Sequence, residues 1–87
     1  MNFNDLNILV TGGTGTFGTA ITEKLLNKYN PRSVVIFSRD EKKQFDMRNK
    51  YKNSKLKFFI GDVRDKESVL HASKNIDYLF HAAASSN

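Results

Sequence analysis

The sequence predicts an α/β protein with a doubly wound parallel sheet and the element order βαβαβαβ. Three observations support this fold class. Four short apolar segments alternate with three stretches of helical character, and the connections between them are short. One of these segments, SVVIF, is apolar without alternation, as expected for a strand whose sheet is covered by helices on both faces. Helical crossovers between successive strands place those strands parallel to one another.

The first strand and helix flank a glycine-rich loop. Residues 6–11, LNILVT, form a short β-branched run that stops at glycine, which is typical of a strand. Beyond the glycines, apolar residues recur every four positions and predict the buried stripe of a helix. The members of this stripe are Phe17, Ile21, Leu25 and Tyr29, with Ala20 and Leu26 beside them. The pair Asn30 and Pro31 ends the helix.

The later elements continue the alternation. SVVIF at 33–37 predicts a second strand, and the polar stretch after it predicts a helix over about 41–51 with few apolar positions. LKFFIG at 56–61 predicts a third strand. Asp65 stands where an N-cap is expected, before a helix that runs to about Ser73. IDYLFHAAA then supplies a fourth strand over about 77–81.

Composition excludes several classes of protein. The 87 residues are 39% hydrophobic and 26% charged, a balance typical of a globular domain. No apolar run approaches the ~20 residues that cross a bilayer, and the N-terminus lacks the features of a signal peptide. There is no cysteine, and the two histidines stand alone, so we expect neither a disulfide nor a metal site. We expect a cytoplasmic protein with no membrane partner.

The net charge of +5 is concentrated in one segment. Residues 42–57 hold seven basic residues and a single acid, Asp46, whereas the rest of the chain sums to −1. Such a segment can bind nucleic acid. It contains no recognisable nucleic-acid motif, so we interpret it as the solvated face of a helix and the loop after it, and we expect no nucleic-acid partner.

The glycine loop carries the clearest functional signal. Thr11-Gly12-x-x-Gly15-x-x-Gly18 follows a predicted strand and begins a predicted helix, which is the context of a dinucleotide-binding fingerprint. One glycine permits the turn, one lets the backbone approach a pyrophosphate, and one lets the helix pack on the strand. The helix N-terminus offers unpaired N–H groups to the phosphates.

The spacing within this loop narrows the class. No Gly-Lys-Ser/Thr follows, so this is not a Walker-type phosphate loop. Three-residue spacing between the glycines points to the short-chain dehydrogenase/reductase superfamily. We therefore predict a partial Rossmann-like sheet with the strand order 3-2-1-4. Residues 1–87 are expected to form the N-terminal part of an NAD(P)-binding domain, one that is truncated.

The end of the second strand indicates which dinucleotide binds. A carboxylate at this position binds the ribose of NAD, whereas arginine accommodates the 2′-phosphate of NADP. Arg39 occupies it, preceded by Ser38, and both can donate hydrogen bonds to an anion. Lys42 and Lys43 follow in the next helix, and Asp40 argues for NAD. We predict NADP as the cofactor, with an outward-facing Arg39 as the alternative.

Two further positions complete the expected cofactor site. Asp62 follows the third strand, where its carboxylate can accept a hydrogen bond from the adenine amino group while Val63 lies against the ring. The alternative is an aspartate that only caps the turn in GDVRD. Small residues follow the fourth strand, His81 to Ala84, where a cofactor must pass close to the backbone. Ordinary packing is the alternative there.

Four segments together resemble a named family. TGGTGTFG, FSRDEKKQFDMR, FFIGDVRDKES and DYLFHAAA look like the N-terminal part of the NADP-dependent UDP-N-acetylglucosamine 4,6-dehydratases, extended short-chain reductases of bacterial polysaccharide and flagellin-sugar biosynthesis. The likeness covers about residues 6–84. It implies that four loop residues contact the pyrophosphate, namely Thr14, Gly15, Thr16 and Phe17. It also implies that Ser38 to Lys43 hold the adenosine phosphate, that Asp62 and Val63 hold the adenine, and that Ala82 lies along the cofactor.

The chain also departs from the family pattern. After HAAA the family continues into a leucine-lysine pair, and the lysine helps to bind cofactor and substrate. Ser86 stands at that position here. The resemblance implies the cofactor-binding portion of a lyase, with no catalytic residues and no turnover by residues 1–87 alone. A nucleotide-sugar substrate is expected for the full-length family and not for this portion.

Two alternatives to this function stay open. The chain can belong to a sugar-nucleotide epimerase or reductase of the same superfamily, or it can be a non-catalytic nucleotide-binding fragment.

Tyr51-x-x-x-Lys55 matches the spacing of a Tyr-Lys proton-transfer pair, but it falls at the wrong end of the predicted sheet, and we interpret it as coincidence. An unpaired edge on the fourth strand predicts self-association.

Overall fold

The computed structural model describes residues 2–82 and contains a four-stranded parallel sheet with three helices. The strands are β1 (Asn7–Thr11), β2 (Ser33–Ser38), β3 (Leu56–Ile60) and β4 (Tyr78–His81). The helices are α1 (Thr16–Lys28), α2 (Glu41–Tyr51) and α3 (Lys66–Ala72). The strand order is β3-β2-β1-β4, and each neighbouring pair is parallel. The predicted fold class, element order and strand order are confirmed.

Helices cover both faces of the sheet. Alternate residues of each strand point to opposite faces, and α1 and α2 pack on one of them. The buried residues of this core are Ile8, Val10, Leu25, Val34, Ile36, Met47 and Leu56. On the other face α3 contributes Ala72, which packs with Leu9 and Phe37. Fully burying an aliphatic side chain such as Ile8 stabilises the fold by about 1.5–3 kcal/mol.

The register of the strands brings three loops to one edge of the sheet. Thr11 at the end of β1 lies opposite Phe37 of β2 and His81 of β4. Ser38 at the end of β2 lies opposite Ile60 of β3. Since the carboxyl ends of parallel strands share an edge, the loops that leave β1, β2 and β3 are neighbours. This is the edge at which ligands bind in doubly wound sheets.

The predicted buried stripe of α1 is wrong in its first turn. Phe17 is 76% exposed and Ala20 is exposed, whereas Thr22 is completely buried. The cause is Gly18, which lies so close to the loop that a Cβ added there would stand 2.5 Å from Gly13 Cα. That approach turns the face bearing Gly18, Thr22 and Leu25 toward the sheet.

Four strand boundaries differ by one residue from the prediction. β1 starts at Asn7 and not at the predicted Leu6, and β2 ends at Ser38, one residue after the predicted Phe37. The predicted third strand includes Gly61, but β3 ends at Ile60 because the chain turns there, although Gly61 N still donates to Ser38 O at 3.0 Å. The predicted fourth strand includes Asp77, but β4 starts at Tyr78. The Asp77 carboxylate accepts a hydrogen bond from Asn7 N at 2.8 Å and so caps the start of β1.

None of the helices described between residues 2 and 82 has the length and apolar character needed to cross a membrane. The longest, α1, contains 13 residues.

Candidate functional site

The glycine loop turns the chain from β1 into α1. Gly12 has φ 63°, in the left-handed region that glycine enters without steric cost. Gly15 N donates to Gly12 O at 3.1 Å, and Gly13 N donates to Phe37 O at 3.2 Å, which ties the loop to β2. These contacts fix the position from which α1 begins.

Two glycines of the loop have different surroundings. Gly18 contacts the backbone of Gly12 and Gly13, so the packing of α1 on the loop itself requires glycine there. Gly15 is exposed, and a Cβ added to it would meet only Gly12 O, at an ordinary contact distance of 3.4 Å. Packing within the chain therefore leaves open space above Gly15, which a ligand can occupy.

The start of α1 also differs from the starts of the other two helices. Gly15 is its N-cap and makes no side-chain hydrogen bond, and the first turn holds no acidic residue. By contrast, the Asp40 side chain caps α2 and the Asp65 side chain caps α3. The first N–H groups of α1 thus have no side-chain acceptor, and together with the helix dipole they favour an anion.

An open groove connects this loop with the end of β2. Its volume is about 610 Å³, and its lining residues are Thr14, Gly15, Ser38, Arg39, Asp40, Glu41 and Lys43. A second depression of about 490 Å³ shares Thr14, Gly15 and Lys43 and continues along the first two turns of α1. The glycine loop and the predicted phosphate-binding residues of β2 and α2 therefore share one surface.

The β2 end of the groove combines cations with one hydroxyl. The Arg39 side chain is 68% exposed, and its Nη1 lies 3.7 Å from Asp62 Oδ2. Asp40 Oδ1 accepts a hydrogen bond from Lys43 N at 2.9 Å. The carboxylate that argued for NAD thus serves as the N-cap of α2, where it favourably meets the helix dipole. Ser38 is buried but lines the groove.

Gln44 is absent from the residues that the sequence predicts for the site. It is 2% exposed, and its side-chain nitrogen donates to Ser38 Oγ and Phe59 O, each at 3.0 Å. The amide therefore joins the ends of β2 and β3 beneath the groove. Its spacing of three residues from the buried Met47 is the sequence signal that places Gln44 on the inner face of α2.

Asp62 is held by the residue two positions later. Arg64 Nη2 donates to Asp62 Oδ2 at 2.8 Å, and Arg64 N donates to Asp62 Oδ1 at 2.9 Å. The side-chain hydrogen bonds from Arg64, followed by the backbone one, lower the pKa of Asp62 from 3.8 to about 2. Asp62 is therefore ionised at neutral pH, and its hydrogen bonds with Arg64 cap the turn. Val63 beside it is 39% exposed.

Some predicted residues lie away from the groove. Lys42 Nζ forms an ion pair with Asp46 Oδ1 at 2.8 Å and is not among the residues that line the groove. Phe17 projects from the first turn of α1 into solvent. Ala82 follows β4, and its N–H donates to Thr11 O at 3.0 Å, which places it beside the start of the glycine loop. The predicted small residues at 83 and 84, and the departure at 86, lie outside the described residues.

Tyr51 is the last residue of α2, and Lys55 lies in the loop between α2 and β3. The Tyr51 hydroxyl donates to Glu23 Oε1 of α1 at 2.5 Å. Desolvation, and then this hydrogen bond, raise the pKa of Tyr51 to about 12. A tyrosine with a raised pKa is a poor proton donor, so the geometry offers no proton-transfer pair here.

The basic segment, residues 42–57, covers most of α2, the loop after it and the first two residues of β3. Lys50 Nζ lies 3.9 Å from Glu23 Oε1, and the Arg48 guanidinium lies 4.7 Å from the centre of the Phe58 ring. Together with Lys42, these residues have partners within the chain.

Comparison with known proteins finds one matching family model and several similar proteins. Residues 8–87 match the family model described as polysaccharide biosynthesis protein. The chain is 50% identical over 82 residues to a UDP-N-acetylglucosamine 4,6-dehydratase (inverting) of Campylobacter jejuni, covering 94% of this chain and 25% of that enzyme. It is 53% identical over 85 residues to a UDP-glucose 4-epimerase of Rickettsia prowazekii, with the same coverage. The chain spans about a quarter of the length of these relatives.

Solved structures show the same fold. The X-ray structure of Pen from Bacillus thuringiensis matches with a TM-score of 0.91 and 42% identity, over 100% of this chain and 28% of that one. A dTDP-glucose 4,6-dehydratase from Bacillus anthracis, solved in complex with NAD, matches with a TM-score of 0.74 and 24% identity. That match covers 92% of this chain and 27% of the dehydratase.

Proposed function

This chain belongs to the polysaccharide biosynthesis protein family, and from that membership we propose that it is the NADP-binding N-terminal portion of a sugar-nucleotide 4,6-dehydratase of the UDP-N-acetylglucosamine type. The observation that carries the proposal is the groove in which the glycine loop meets the end of β2. The 50% identity to the Campylobacter jejuni dehydratase supports the choice of enzyme.

The residues around the glycine loop fit a pyrophosphate. The open space above Gly15 admits phosphate oxygens close to the backbone, and the N–H groups at the start of α1 face them without a competing side-chain cap. The hydroxyls of Thr14 and Thr16 add donors, and Phe17 stands in solvent beside them. We assign the pyrophosphate to this loop.

The end of β2 fits a 2′-phosphate. Ser38, Arg39 and Lys43 border the same groove and provide a hydroxyl and two cations. Two acidic residues that line the groove, Asp40 and Glu41, oppose a phosphate. The Asp40 carboxylate, which favours NAD, already accepts a hydrogen bond from Lys43 N. We therefore propose NADP over NAD. The Bacillus anthracis dehydratase was solved with NAD, and NAD is the alternative here.

We assign the adenine to residues that follow β3, and the far end of the cofactor to a residue that follows β4. Asp62, ionised and held by Arg64, is an acceptor suited to the adenine amino group, and the half-exposed Val63 is a surface for the ring. Ala82 lies beside the end of β1, where a small side chain leaves room for the cofactor. Lys42 is paired with Asp46 and does not line the groove, so we assign it no contact with the cofactor.

When bound, the cofactor supplies a hydride acceptor that is regenerated within the reaction. In the family that the sequence resembles, the hydride leaves C4 of the sugar, water is eliminated across C5 and C6, and the hydride returns to C6. The residues described here bind and orient the dinucleotide. A nucleotide sugar is the proposed substrate of the whole enzyme, and a cytoplasmic location without a nucleic-acid or membrane partner stays a prediction.

A second candidate reaction has specific support. The Rickettsia prowazekii protein, a UDP-glucose 4-epimerase, is 53% identical over 85 residues, a similarity as high as that to the dehydratase. Both reactions need the same dinucleotide groove. We keep 4-epimerisation as the alternative, and a non-catalytic nucleotide-binding chain as the alternative of another class.

Fluorescence titration tests the cofactor proposal. NADPH added to the 87-residue chain is expected to bind saturably and more tightly than NADH. The Lys42→Ala variant is the control, because Lys42 is exposed and ion-paired away from the groove. Its NADPH affinity is expected to match that of the original chain. Absence of saturable NADPH binding contradicts the proposal and favours a chain without a function of its own.

A chimera tests the choice of reaction. The region of the Campylobacter jejuni dehydratase that matches this chain is replaced by residues 6–82, and the product formed from UDP-N-acetylglucosamine is identified by NMR. A 4-keto-6-deoxy product is expected. The corresponding chimera with the Rickettsia prowazekii epimerase is the comparison. Turnover by that second chimera alone favours the epimerase alternative.

A further inference from the structure

A buried amide lies directly beneath the groove. Gln44 Nε2 stands 3.0 Å from Ser38 Oγ, 3.3 Å from Ser38 O and 3.0 Å from Phe59 O. At 2% exposure the Gln44 side chain is closed to any ligand in the groove. Any effect of Gln44 on ligand binding in the groove therefore passes through Ser38.

The two carbonyl groups decide which end of the amide faces them. The oxygens of Ser38 O and Phe59 O can only accept hydrogen bonds, so the Gln44 group beside them is the NH₂ and not the oxygen. Its two hydrogens supply one bond to Phe59 O and one shared by the two oxygens of Ser38. The reversed amide would set three oxygens against one another in a buried space, at a large desolvation cost.

The direction of the Ser38 hydroxyl follows from this assignment. Ser38 Oγ lies against a nitrogen that only donates, so the hydroxyl accepts there and its single hydrogen points elsewhere. Among residues 2–82, no group accepts a hydrogen bond from Ser38 Oγ. The groove that Ser38 lines also holds Arg39 and Lys43, both of which are donors. Three donors thus face this groove, whose lining also includes the carboxylates of Asp40 and Glu41.

We propose that Gln44 is a positioning residue that sets the Ser38 hydroxyl as a donor to the 2′-phosphate of the cofactor, and this inference rests on the function proposed above. Gln44 accordingly contributes to the preference for a 2′-phosphorylated dinucleotide without touching it. In a chain without this amide, the hydroxyl is free to turn toward the carbonyl oxygens that Gln44 leaves without a donor.

Two small nucleotides isolate the contribution of the 2′-phosphate. Adenosine 2′,5′-bisphosphate and 5′-AMP differ only by that group, so the ratio of their dissociation constants reports on the β2 end of the groove. Isothermal titration of the 87-residue chain is expected to give a clear preference for the bisphosphate. A general loss of protein stability weakens the binding of both nucleotides and leaves the ratio of their dissociation constants unchanged.

A double-mutant cycle tests whether Gln44 acts through Ser38. Gln44→Met keeps the length and neutrality of the side chain and removes its donor. We expect it to lower the preference for the bisphosphate by about three- to tenfold, within the range for an ordinary hydrogen bond. Ser38→Ala is expected to lower the preference at least as much. Adding Gln44→Met to Ser38→Ala is expected to change it no further, and circular dichroism verifies folding.

Two results of this cycle overturn the inference. The first is an unchanged preference in the folded Gln44→Met chain. The second is an equal loss from Gln44→Met in the presence and in the absence of the Ser38 hydroxyl, since Gln44 then acts on the phosphate by another route.

A measurement on the unaltered chain covers a variant that does not fold. The side-chain amide resonances of Gln44 are expected to shift when the bisphosphate is added and to stay in place with 5′-AMP. Equal responses to the two nucleotides overturn the inference even if both bind. Failure of the proposed function is distinguishable, because the unaltered chain then binds neither nucleotide or binds them equally, and the inference falls with it.

Discussion

Arg39 Nη1 lies 3.7 Å from Asp62 Oδ2, a contact that links the residues following β2 and β3 at the edge of the groove. The Arg39 side chain is 68% exposed, and an ion pair of this kind contributes only about 0–1 kcal/mol to stability. Asp62 is held more firmly by Arg64, at 2.8 Å. Arg39 is therefore kept near the groove while its guanidinium remains available to an anion.

Replacing Arg39 is expected to remove most of the discrimination between NADPH and NADH. The Arg39→Ala chain should bind NADPH about 10- to 100-fold more weakly, the range for losing a charge-assisted hydrogen bond, and NADH almost unchanged. Fluorescence titration measures both constants. Lys42→Ala is the matched control, since it removes an equally exposed cation that is paired with Asp46. Equal losses for the two dinucleotides would place the 2′-phosphate elsewhere.

The two loop glycines are expected to respond differently to alanine. Gly18→Ala should unfold or strongly destabilise the chain, because its Cβ would overlap the backbone of Gly12 and Gly13. Gly15→Ala should keep the melting temperature nearly unchanged, since its Cβ meets only Gly12 O at 3.4 Å, and yet weaken NADPH binding. Thermal unfolding and titration separate the effects. Unimpaired NADPH binding by Gly15→Ala argues against a pyrophosphate above this residue.

Acid titration of Asp62 tests the hydrogen bonds that Arg64 donates to it in the turn after β3. Its folded pKa is about 2, below the ordinary 3.8, so the contribution of Asp62 to stability is present above about pH 4 and is lost as the pH falls toward 2. Arg64→Ala should return the pKa of Asp62 toward 3.8, because Arg64 provides the main hydrogen bonds. Carboxyl carbon NMR measures this pKa. A value that stays near 2 in Arg64→Ala would assign the shift to another group.

Local sequence patterns determine much of this fold. Strand and helix positions follow from apolar runs, Asp caps and the glycine loop, and the boundaries fall within one residue of those expected, as at Gly61 and Asp77. The first turn of α1 was mispredicted because a four-residue count of apolar positions ignores the close approach of Gly18 to the loop. That approach buries Thr22 and exposes Phe17.

The side-chain contacts of the site were harder to predict. Thr11 Oγ1 lies 2.6 Å from His81 Nδ1 across 70 positions of sequence, a pair that needs the register of β1 and β4 to be known. The bond from Gln44 to Phe59 O likewise needs the packing of α2 on β3. The predicted residues Ser38, Arg39 and Lys43 do line one groove. Ser38 ends β2, Arg39 follows it and Lys43 lies in the first turn of α2, so the order of the elements is enough to bring them together.

Thr22 offers a route to a more stable chain. Its side chain is completely buried in α1, and its hydroxyl has no hydrogen-bond partner within residues 2–82. Thr22→Val keeps the shape and removes the unsatisfied group, so we expect it to raise the free energy of unfolding by about 1 kcal/mol. Thr19→Val, on the partly exposed side of the same helix, should change it by less than about 0.5 kcal/mol. Urea denaturation checks both, and a destabilised Thr22→Val chain would indicate an acceptor that the structure does not record.

The outer edge of β4 is expected to promote self-association. Within the described part of the chain no strand pairs with that edge, and Leu79 on β4 is 48% exposed. Free peptide groups on an apolar edge can pair with those of a second copy. Light scattering after size exclusion should show a mass that rises with concentration, and Leu79→Lys should reduce it. Leu70→Lys, an exposed position on α3, is the control. A mass that stays monomeric at every concentration would contradict this expectation.

The glycine loop and the end of β2 form one groove, with Asp62 beside Arg39 at its edge, and we propose that this groove binds a 2′-phosphorylated dinucleotide. Amide chemical-shift mapping of the ¹⁵N-labelled chain with NADPH tests it most directly. With NADPH, saturable shifts are expected at residues 12–18, 38–43 and 61–63, and with NADH the shifts at 38–43 are expected to be smaller. Shifts concentrated in the part of the basic segment at 48–57, or none at the glycine loop, would contradict it.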